Sequence, residues 1–317
     1  EAQAAPPPRR RHRWRWLGRT LLPVALLAIV TVAVYQLQAV DWARVLSDAR
    51  WEWVLVAVVF SAVSYLGAAW NVLGFSPARI GLFRAYSAQM AGAAMKIITP
   101  AGVGALAVNV RLVQKAGAST KSAVTAIAGS QGAQFLVSVL AIGLLVFLPG
   151  PGVRLPEVPR SPWVWGAAAL GVVVAVGTFW VVWHTREPVR RQVRDALAAM
   201  RRVVVSPRRF AEGFGGGLLV TAGFVGALWG CTVAFGGGVS LLGAGVVVLV
   251  ATGVGSIVPT PGGAGAVEVS LTTALVAVGA SLAVAVPAVL VYRLVTFWLP
   301  MLVGLAAAAR LRSLDAL

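Results

Sequence analysis

The sequence predicts an all-α, polytopic transmembrane helical bundle with two re-entrant (broken) helix hairpins and an inverted internal repeat. Of the 317 residues, 59% are hydrophobic and only 12% are charged, whereas about 25% are charged in a typical soluble domain. The apolar residues form long unbroken runs, as a bilayer-spanning helix of about 20 residues requires. Two runs are interrupted by clusters of Pro and Gly, and these clusters resemble each other. A soluble, disordered or fibrous protein is therefore excluded, and the runs lack the alternation of barrel strands.

The first segment, residues 1–19, contains three prolines, six arginines and two tryptophans. We expect a disordered basic cytoplasmic tail that ends in an interfacial anchor. A signal peptide over residues 9–39 is the alternative, although no small-x-small cleavage site follows its apolar stretch. Because the sequence begins with Glu1 rather than Met, we expect a fragment or a processed chain.

A single membrane domain is predicted over residues 20–312, with six apolar segments that are long enough to span a bilayer and four short ones. The segments are 20–39, 53–74, 85–98, 105–116, 122–148, 163–183, 213–235, 241–258, 264–279 and 282–308. The short segments form two pairs, separated by the sequences from Thr99 to Gly104 and from Pro259 to Gly263. Clustered Pro and Gly break a helix. Inside a membrane such a break is tolerated only where the opened backbone is buried in protein or lines a cavity, which predicts the two hairpins.

The charges of the connections predict the topology. With the N-terminus inside, the connection 41–52, of net charge −1, lies outside, and the basic linker 184–212, of net charge +5, lies in the cytoplasm. If 85–116 returns to the side from which it enters, Arg111 and Lys115 are also cytoplasmic, and both termini lie inside. Two ordinary spanning pairs in place of the hairpins would give the same sides. A single crossing by each broken segment would put Arg111 outside and is disfavoured.

An internal repeat supports this arrangement. The segment from Thr99 to Ala105 matches the segment from Thr260 to Ala266, with Pro261 lying 161 residues after Pro100. The first copy enters from the inside and the second from the outside, which is typical of inverted-topology repeats in transporters. We place the first repeat at about 53–148 and the second at about 213–308.

Four charged residues fall within or near the predicted membrane segments: Lys96, Arg111, Glu268 and Arg293. An intramembrane charge costs about 2.5–3.5 kcal/mol on insertion scales, so it usually faces a partner or a water-filled path. Glu268 and Arg293 would neutralise each other as a pair. This pair is either purely structural, or Arg293 also binds a lipid phosphate. We expect Lys96 to face a cavity, rather than to snorkel, and Arg111 to lie at the cytoplasmic edge.

The two breaks are the sharper candidates for a lipid-binding site. The N-terminus of a half-helix presents free N–H groups and a positive dipole end, and glycines let a phosphate approach closely. The candidate residues are Thr99, Pro100, Gly102, Gly104, Pro259, Thr260, Pro261, Gly262, Gly263 and Gly265. Gln131 and Gln134 are predicted to line the same path, and Asn71 and Asn109 are further candidates, although such residues more often join helices by hydrogen bonds.

No cofactor, metal site or catalytic motif is predicted. The one cysteine, Cys231, is interpreted as a buried packing residue, and His12 and His184 lie far apart. The spacing from Gly213 to Gly217 fits close helix packing in lipid better than a dinucleotide fingerprint. The net charge of +17 is explained by the topology and by anionic lipid headgroups rather than by nucleic acid.

The element from Pro259 to Glu268, which reads Pro-x-Pro-Gly-Gly-x-Gly-x-x-Glu, resembles an element in the membrane region of bacterial lysylphosphatidylglycerol synthases, the flippase-like family. The resemblance covers about residues 20–312 and implies movement of aminoacylated phospholipids between leaflets, or of polyprenyl-linked lipids in stand-alone relatives. The first-half element of the family usually has a Glu followed by an Arg, where this chain has Ala105 and either Val108 or Asn109. The family's headgroup preference is therefore not carried over. These residues contain no soluble aminoacyl-transfer domain, so no synthase activity is implied.

The expected function is translocation of an anionic, zwitterionic, aminoacylated or polyprenyl-linked lipid between leaflets, without enzymatic activity. Since no ATP-binding motif is present, transport would be passive or coupled to an ion gradient. The alternative is a non-transporting scaffold whose linker 184–212 docks a glycosyltransferase or a lipid synthase. A membrane-embedded transferase is a third hypothesis, weakened because Glu268 is the one acid deep in the membrane. Richness in Ala, Val, Gly and Arg, with three lysines, suggests the inner membrane of a bacterium with a GC-rich genome.

Overall fold

The computed structural model describes residues 45, 47–98, 103–147, 187–257 and 265–305, and every regular element in these ranges is helical. The helices are α1 (Trp51–Phe75), α2 (Leu82–Ile98), α3 (Val103–Lys115), α4 (Thr120–Phe147), α5 (Glu187–Val205), α6 (Pro207–Ala234), α7 (Leu241–Ile257), α8 (Ala266–Ala277) and α9 (Leu282–Arg293). A turn of π-helix, Leu294–Trp298, follows α9, and the helix then continues to Leu305.

Four of these described helices are long and apolar enough to cross a membrane: α1, α4, α6 and α9 with its continuation. They correspond to the predicted segments 53–74, 122–148, 213–235 and 282–308. The protein is therefore a multi-pass membrane protein. The other two predicted spans, 20–39 and 163–183, and the tail 1–19 lie outside the described residues.

The antiparallel helices α1 and α6 form the centre of the bundle and pack together more extensively than any other described pair. Small residues allow this approach: a Cβ atom added to Gly67 would lie 2.7 Å from the carbonyl oxygen of Gly216, and one added to Gly223 would lie 2.6 Å from Ser64 Cβ. Asn71 of α1 donates a hydrogen bond of 2.7 Å to the carbonyl of Gly213. The prediction that the α6 glycines serve close helix packing is confirmed.

Helices α2 and α3 run antiparallel to each other. Gln89 Nε2 donates a hydrogen bond of 2.8 Å to Asn109 Oδ1, and one turn further along α2 a Cβ atom added to Gly92 would lie 3.4 Å from Ala105 Cβ. A later residue of α2 thus contacts an earlier residue of α3, which shows that the two helices run in opposite directions. Helices α7 and α8 also pack against each other. The segments that join each pair, 99–102 and 258–264, lie outside the described residues.

The two halves have the same order of helices: long, short, short, long. The turns that enter their last helices are also alike, because Gly117 and Gly279 both have positive φ, of 98° and 101°. In the first turn Ala118 N–H donates to the carbonyl of Val113, and in the second Ala280 N–H donates to that of Leu275. Both turns thus have the Schellman pattern that satisfies free carbonyls at a helix C-terminus.

The linker 184–212 contains a helix, α5, that its charge obscured in the sequence. Ala199 and Val203 are buried against α1, α4 and α6. Four of the five arginines of α5 are exposed, namely Arg191, Arg194, Arg201 and Arg202, and Arg190 is partly buried. Spacing of apolar residues by three and four positions places one stripe against the bundle, although the helix as a whole is strongly basic.

Candidate functional site

The charged residues of the second half form an ion pair. Arg293 Nε donates a hydrogen bond of 2.7 Å to Glu268 Oε1, and the side chains are 10% and 21% exposed, respectively. The Arg293 guanidinium also stacks over the ring of Phe297, with its carbon 4.3 Å from the ring centre. Glu268 lies in the first turn of α8, where the helix dipole favours a negative charge. The two opposite charges thereby neutralise each other between α8 and α9.

The π-helical turn after Arg293 opens the backbone of the last helix toward α1. Ser61 Oγ donates to the carbonyl of Val295, and Tyr65 Oη donates to the carbonyl of Thr296, both at 3.0 Å. Turns of π-helix occur mostly as single bulges and frequently at functional sites. Here the bulge fixes the position of Arg293 relative to α1.

A cavity of about 320 Å³ lies among α1, α2, α3, α4 and α6. Its polar lining consists mostly of uncharged amides and hydroxyls: Ser64, Tyr65, Asn71, Gln89, Asn109, Ser130, Gln131 and Gln134. Gln134 is oriented by a hydrogen bond of 3.2 Å to Thr221 of α6. The cavity is therefore a polar compartment within a bundle of apolar helices.

Lys96, near the end of α2, is the charged residue of the cavity lining. Its side chain is exposed. Tyr65, on the same cavity wall, donates its hydrogen bond to the carbonyl of Thr296, three residues after Arg293. This hydrogen bond connects the cavity to the helix that carries the Glu268–Arg293 pair.

Two polar atoms in this region are buried and have no hydrogen-bond partner among the described residues. They are Ser130 Oγ, on the cavity wall, and Glu268 Oε2, the second oxygen of the paired carboxylate. An unsatisfied buried polar atom costs about 1–3 kcal/mol. A hydroxyl or amide group of a bound molecule would remove this cost.

Several predicted site residues are placed by the structure. Lys96, Gln131, Gln134, Asn71 and Asn109 lie together on the cavity wall. In the first break, Gly104 is buried in the first turn of α3. In the second break, Gly265 directly precedes α8 and has a φ of 82°. Arg111, which lies outside both breaks, is exposed on α3. The remaining break residues lie outside the described residues: Thr99, Pro100, Gly102, Pro259, Thr260, Pro261, Gly262 and Gly263.

Comparison with known families matches residues 16–304 to the transmembrane region of lysylphosphatidylglycerol synthase. The chain belongs to this family. A comparison with curated proteins finds no significant match. Membership in the lysylphosphatidylglycerol synthase transmembrane family agrees with the resemblance of the Pro259–Glu268 element, and it relates this membrane protein to lipid synthesis or lipid movement.

The sequence analysis of this family member missed four polar cavity residues, Ser64, Tyr65, Gln89 and Ser130. A signal for Tyr65 existed in α1, where Ser64, Tyr65 and Asn71 occur at helical spacing in an otherwise apolar segment. Ser130 directly precedes Gln131 on α4. Gln89 had no comparable signal, because its partner Asn109 lies on another helix.

A second groove, of about 700 Å³, lies between the start of α4 and α5. Its charged lining consists of Lys121, Asp195, Arg201 and Arg202, and Lys121 pairs with Asp195 at 3.4 Å. At the start of the same helix, a hydrogen bond from Arg191 holds the pKa of the exposed Glu187 carboxyl below its ordinary value. This family member thus carries a basic surface beside the membrane-spanning helices.

Proposed function

We propose that this protein moves a phosphate-bearing lipid between the two leaflets of a membrane. The observation that carries this proposal is the polar cavity with Lys96 at its wall, enclosed by helices of which three are long enough to span a membrane. A polar, positively charged compartment inside such a bundle suits a headgroup, while the acyl chains remain among apolar surfaces. Family membership supports a lipid as the substrate.

Lys96 supplies the positive charge that we expect to hold the phosphate. The first turn of α3, which includes the cavity residue Ala105, would add backbone N–H groups and the positive end of a helix dipole. The neighbouring amides would then orient the rest of the headgroup. Glu268 neutralises Arg293, so that this pair adds no net charge.

We further propose that α2–α3 and α7–α8 are re-entrant hairpins related by an inverted-topology repeat. The antiparallel pairing of α2 with α3, the repeated order of helix lengths and the matched turns at Gly117 and Gly279 support this. The antiparallel packing of α1 on α6, which begin the two halves, is the relation that inversion requires. With the basic linker inside, both termini would be cytoplasmic, in a bacterial inner membrane.

A leaflet-exchange assay tests the transport proposal. Purified protein is reconstituted into liposomes with phosphatidylglycerol that carries a fluorophore on its acyl chain, and dithionite bleaches only the outer leaflet. Lipid exchange brings labelled lipid from the inner leaflet to the outer leaflet, where dithionite reaches it. We therefore expect more than the half of the fluorescence that is lost in protein-free vesicles to be bleached. In the Lys96→Gln variant we expect exchange at least about tenfold slower, because the phosphate loses a charged partner.

Arg111→Gln is the matched control, since it removes an exposed cation from the partner helix of the same hairpin. We expect it to exchange lipid at the wild-type rate. Folding of each variant is checked by its elution in size-exclusion chromatography. Exchange no faster than in protein-free vesicles, from folded wild-type protein, would refute the proposal for this lipid class, and equal rates for Lys96→Gln and wild type would refute the site.

A scaffold is the second candidate function, favoured by the exposed arginines of α5 and by the groove beside them. It would dock an acidic surface of a lipid synthase or glycosyltransferase and would itself be no enzyme. Its test is co-purification from membranes by wild-type protein and by an Arg201→Gln/Arg202→Gln variant. Loss of one reproducible partner, together with absent lipid exchange, would favour this function over transport.

A further inference from the structure

We infer that the lipid accepted by the cavity carries a single phosphate and an uncharged, hydroxyl-rich headgroup, such as a glycerol or a sugar, and that aminoacylated lipids are rejected. This inference rests on the proposed transport function and names its substrate class. Three observations carry it: the distribution of acidic residues, the balance of charge at the cavity, and the unsatisfied hydroxyl of Ser130.

Acidic residues are almost absent from the predicted membrane segments of the sequence. The ten acids of the sequence are Glu1, Asp41, Asp48, Glu52, Glu157, Glu187, Asp195, Glu212, Glu268 and Asp315. Only Glu268 lies within a predicted membrane segment, and the sequences of both breaks contain none. An ammonium group that enters this region would need a carboxylate, because a buried charge is tolerated only when it is paired.

The one available carboxylate is already balanced. Glu268 Oε1 pairs with Arg293 at 2.7 Å, so its Oε2 offers a hydrogen-bond acceptor without offering an uncompensated charge. Lys96 then leaves one positive charge in excess. One phosphodiester, with a single negative charge, neutralises this excess. A lysyl ester adds two ammonium groups to the same phosphodiester and would leave the site strongly positive.

The uncharged part of the lining is suited to hydroxyl groups. Amides and hydroxyls both donate and accept hydrogen bonds, and therefore match a polyol. Ser130 Oγ is fully buried on the cavity wall with no partner among the described residues. Gln131 is exposed on the same wall, one residue further along α4. A headgroup hydroxyl would satisfy Ser130 and meet Gln131.

The test compares three lipids in the leaflet-exchange assay with wild-type protein. Phosphatidylglycerol has one negative charge and two hydroxyls, phosphatidylmethanol has the same charge and no hydroxyl, and lysylphosphatidylglycerol carries two ammonium groups. We expect phosphatidylglycerol to exchange more than about tenfold faster than the lysyl ester. We expect it to exchange about three- to tenfold faster than phosphatidylmethanol, the effect of one or two hydrogen bonds.

Two variants assign these preferences to residues. Ser130→Ala should reduce the advantage of phosphatidylglycerol over phosphatidylmethanol and leave the rejection of the lysyl ester unchanged. Lys96→Glu should slow the exchange of phosphatidylglycerol. It should also reduce or reverse the ratio of this exchange rate to that of the lysyl ester, because the substitution replaces a positive charge by a negative one. If Lys96→Glu does not fold, Lys96→Gln should reduce the same ratio of exchange rates by a smaller factor.

The outcomes separate the inference from the function on which it rests. If none of the three lipids exchanges, transport of this lipid class fails, and with it the inference. If all exchange and the lysyl ester is as fast as phosphatidylglycerol, the protein is a transporter and the charge argument is wrong. If phosphatidylmethanol equals phosphatidylglycerol while the lysyl ester is rejected, the hydroxyl preference alone is refuted.

Discussion

The first and second halves of the bundle repeat one order of helices but fill it with different chemistry. In the first half, α2 and α3 are joined by an uncharged amide pair, Gln89 and Asn109, and the cation Lys96 is open to the cavity. In the second half, the Glu268–Arg293 ion pair joins the short helix α8 to α9, with Phe297 covering the guanidinium. The polar groups of the first half are therefore accessible from the cavity, whereas the charges of the second half are paired and largely buried.

This difference indicates that two halves with the same order of helices use their polar side chains for separate tasks. A hydrogen-bonded amide pair can exchange its partners for those of a ligand at little cost. A buried ion pair cannot, because separating it leaves two charges without water. We therefore expect the ion pair of the second half to stabilise the structure and the cavity of the first half to contact the lipid.

The largest effect should come from breaking the ion pair. Glu268→Ala removes the carboxylate that pairs with Arg293 and should lower the free energy of unfolding by about 3–5 kcal/mol. Lys96→Ala, in the other half, should change it by about 0.5 kcal/mol or less, because this accessible side chain has no ion pair among the described residues. Denaturant-induced unfolding in detergent micelles measures both.

A double variant tests whether the loss arises from the unpaired charge. Glu268→Ala/Arg293→Ala should be clearly more stable than the sum of the two single changes predicts, because the second removes the charge that the first exposes. Equal destabilisation by Glu268→Ala and Lys96→Ala would remove the distinction between the two halves.

A smaller effect is expected where the halves meet, at the close contact of α1 and α6. Gly223→Ala puts a Cβ atom 2.6 Å from Ser64 Cβ and 2.7 Å from the carbonyl of Phe60, which should destabilise the protein by about 1–3 kcal/mol. Gly215 is the control on the same helix, since nothing lies within 4 Å of its added Cβ. Gly215→Ala should stabilise by about 0.5–1 kcal/mol, and thermal unfolding would show both. A neutral Gly223→Ala would mean that the helices pack less closely than described.

The smallest effect provides the sharpest test of the repeat. Gly117→Ala and Gly279→Ala each force a side chain into the left-handed region, at φ of 98° and 101° with open space around the Cβ atom. Each substitution should lower the free energy of unfolding by about 1–2 kcal/mol, and the two decreases should agree within about 0.5 kcal/mol. Gly143→Ala, in open space within α4, should be neutral or slightly stabilising. Unequal losses at the two turns, measured by thermal unfolding, would argue against equivalent halves.

Much of the fold could be predicted because a membrane-spanning helix can be identified from its own segment of the sequence. A spanning segment must be apolar over its whole length, so the segments 53–74 and 122–148 correspond closely to α1 and α4. Helix α5 was harder to predict, since its apolar stripe is visible only as spacing within a basic segment. Its packing against Phe75 depends on a residue more than a hundred positions earlier.

The sequence by itself determined which residues are unusual in a membrane: one acid, Glu268, a mid-helix Arg293, a Lys96 beside a break, and a few amides. These are exceptional because a low-dielectric surrounding penalises each of them. Only the tertiary structure decided which of them meet. Glu268 meets Arg293, and Lys96 shares a cavity with the amides of Asn71 and Gln134, because helices from distant parts of the sequence pack around α1 and α6. Such proximity arises from packing between distant segments, which local composition does not encode.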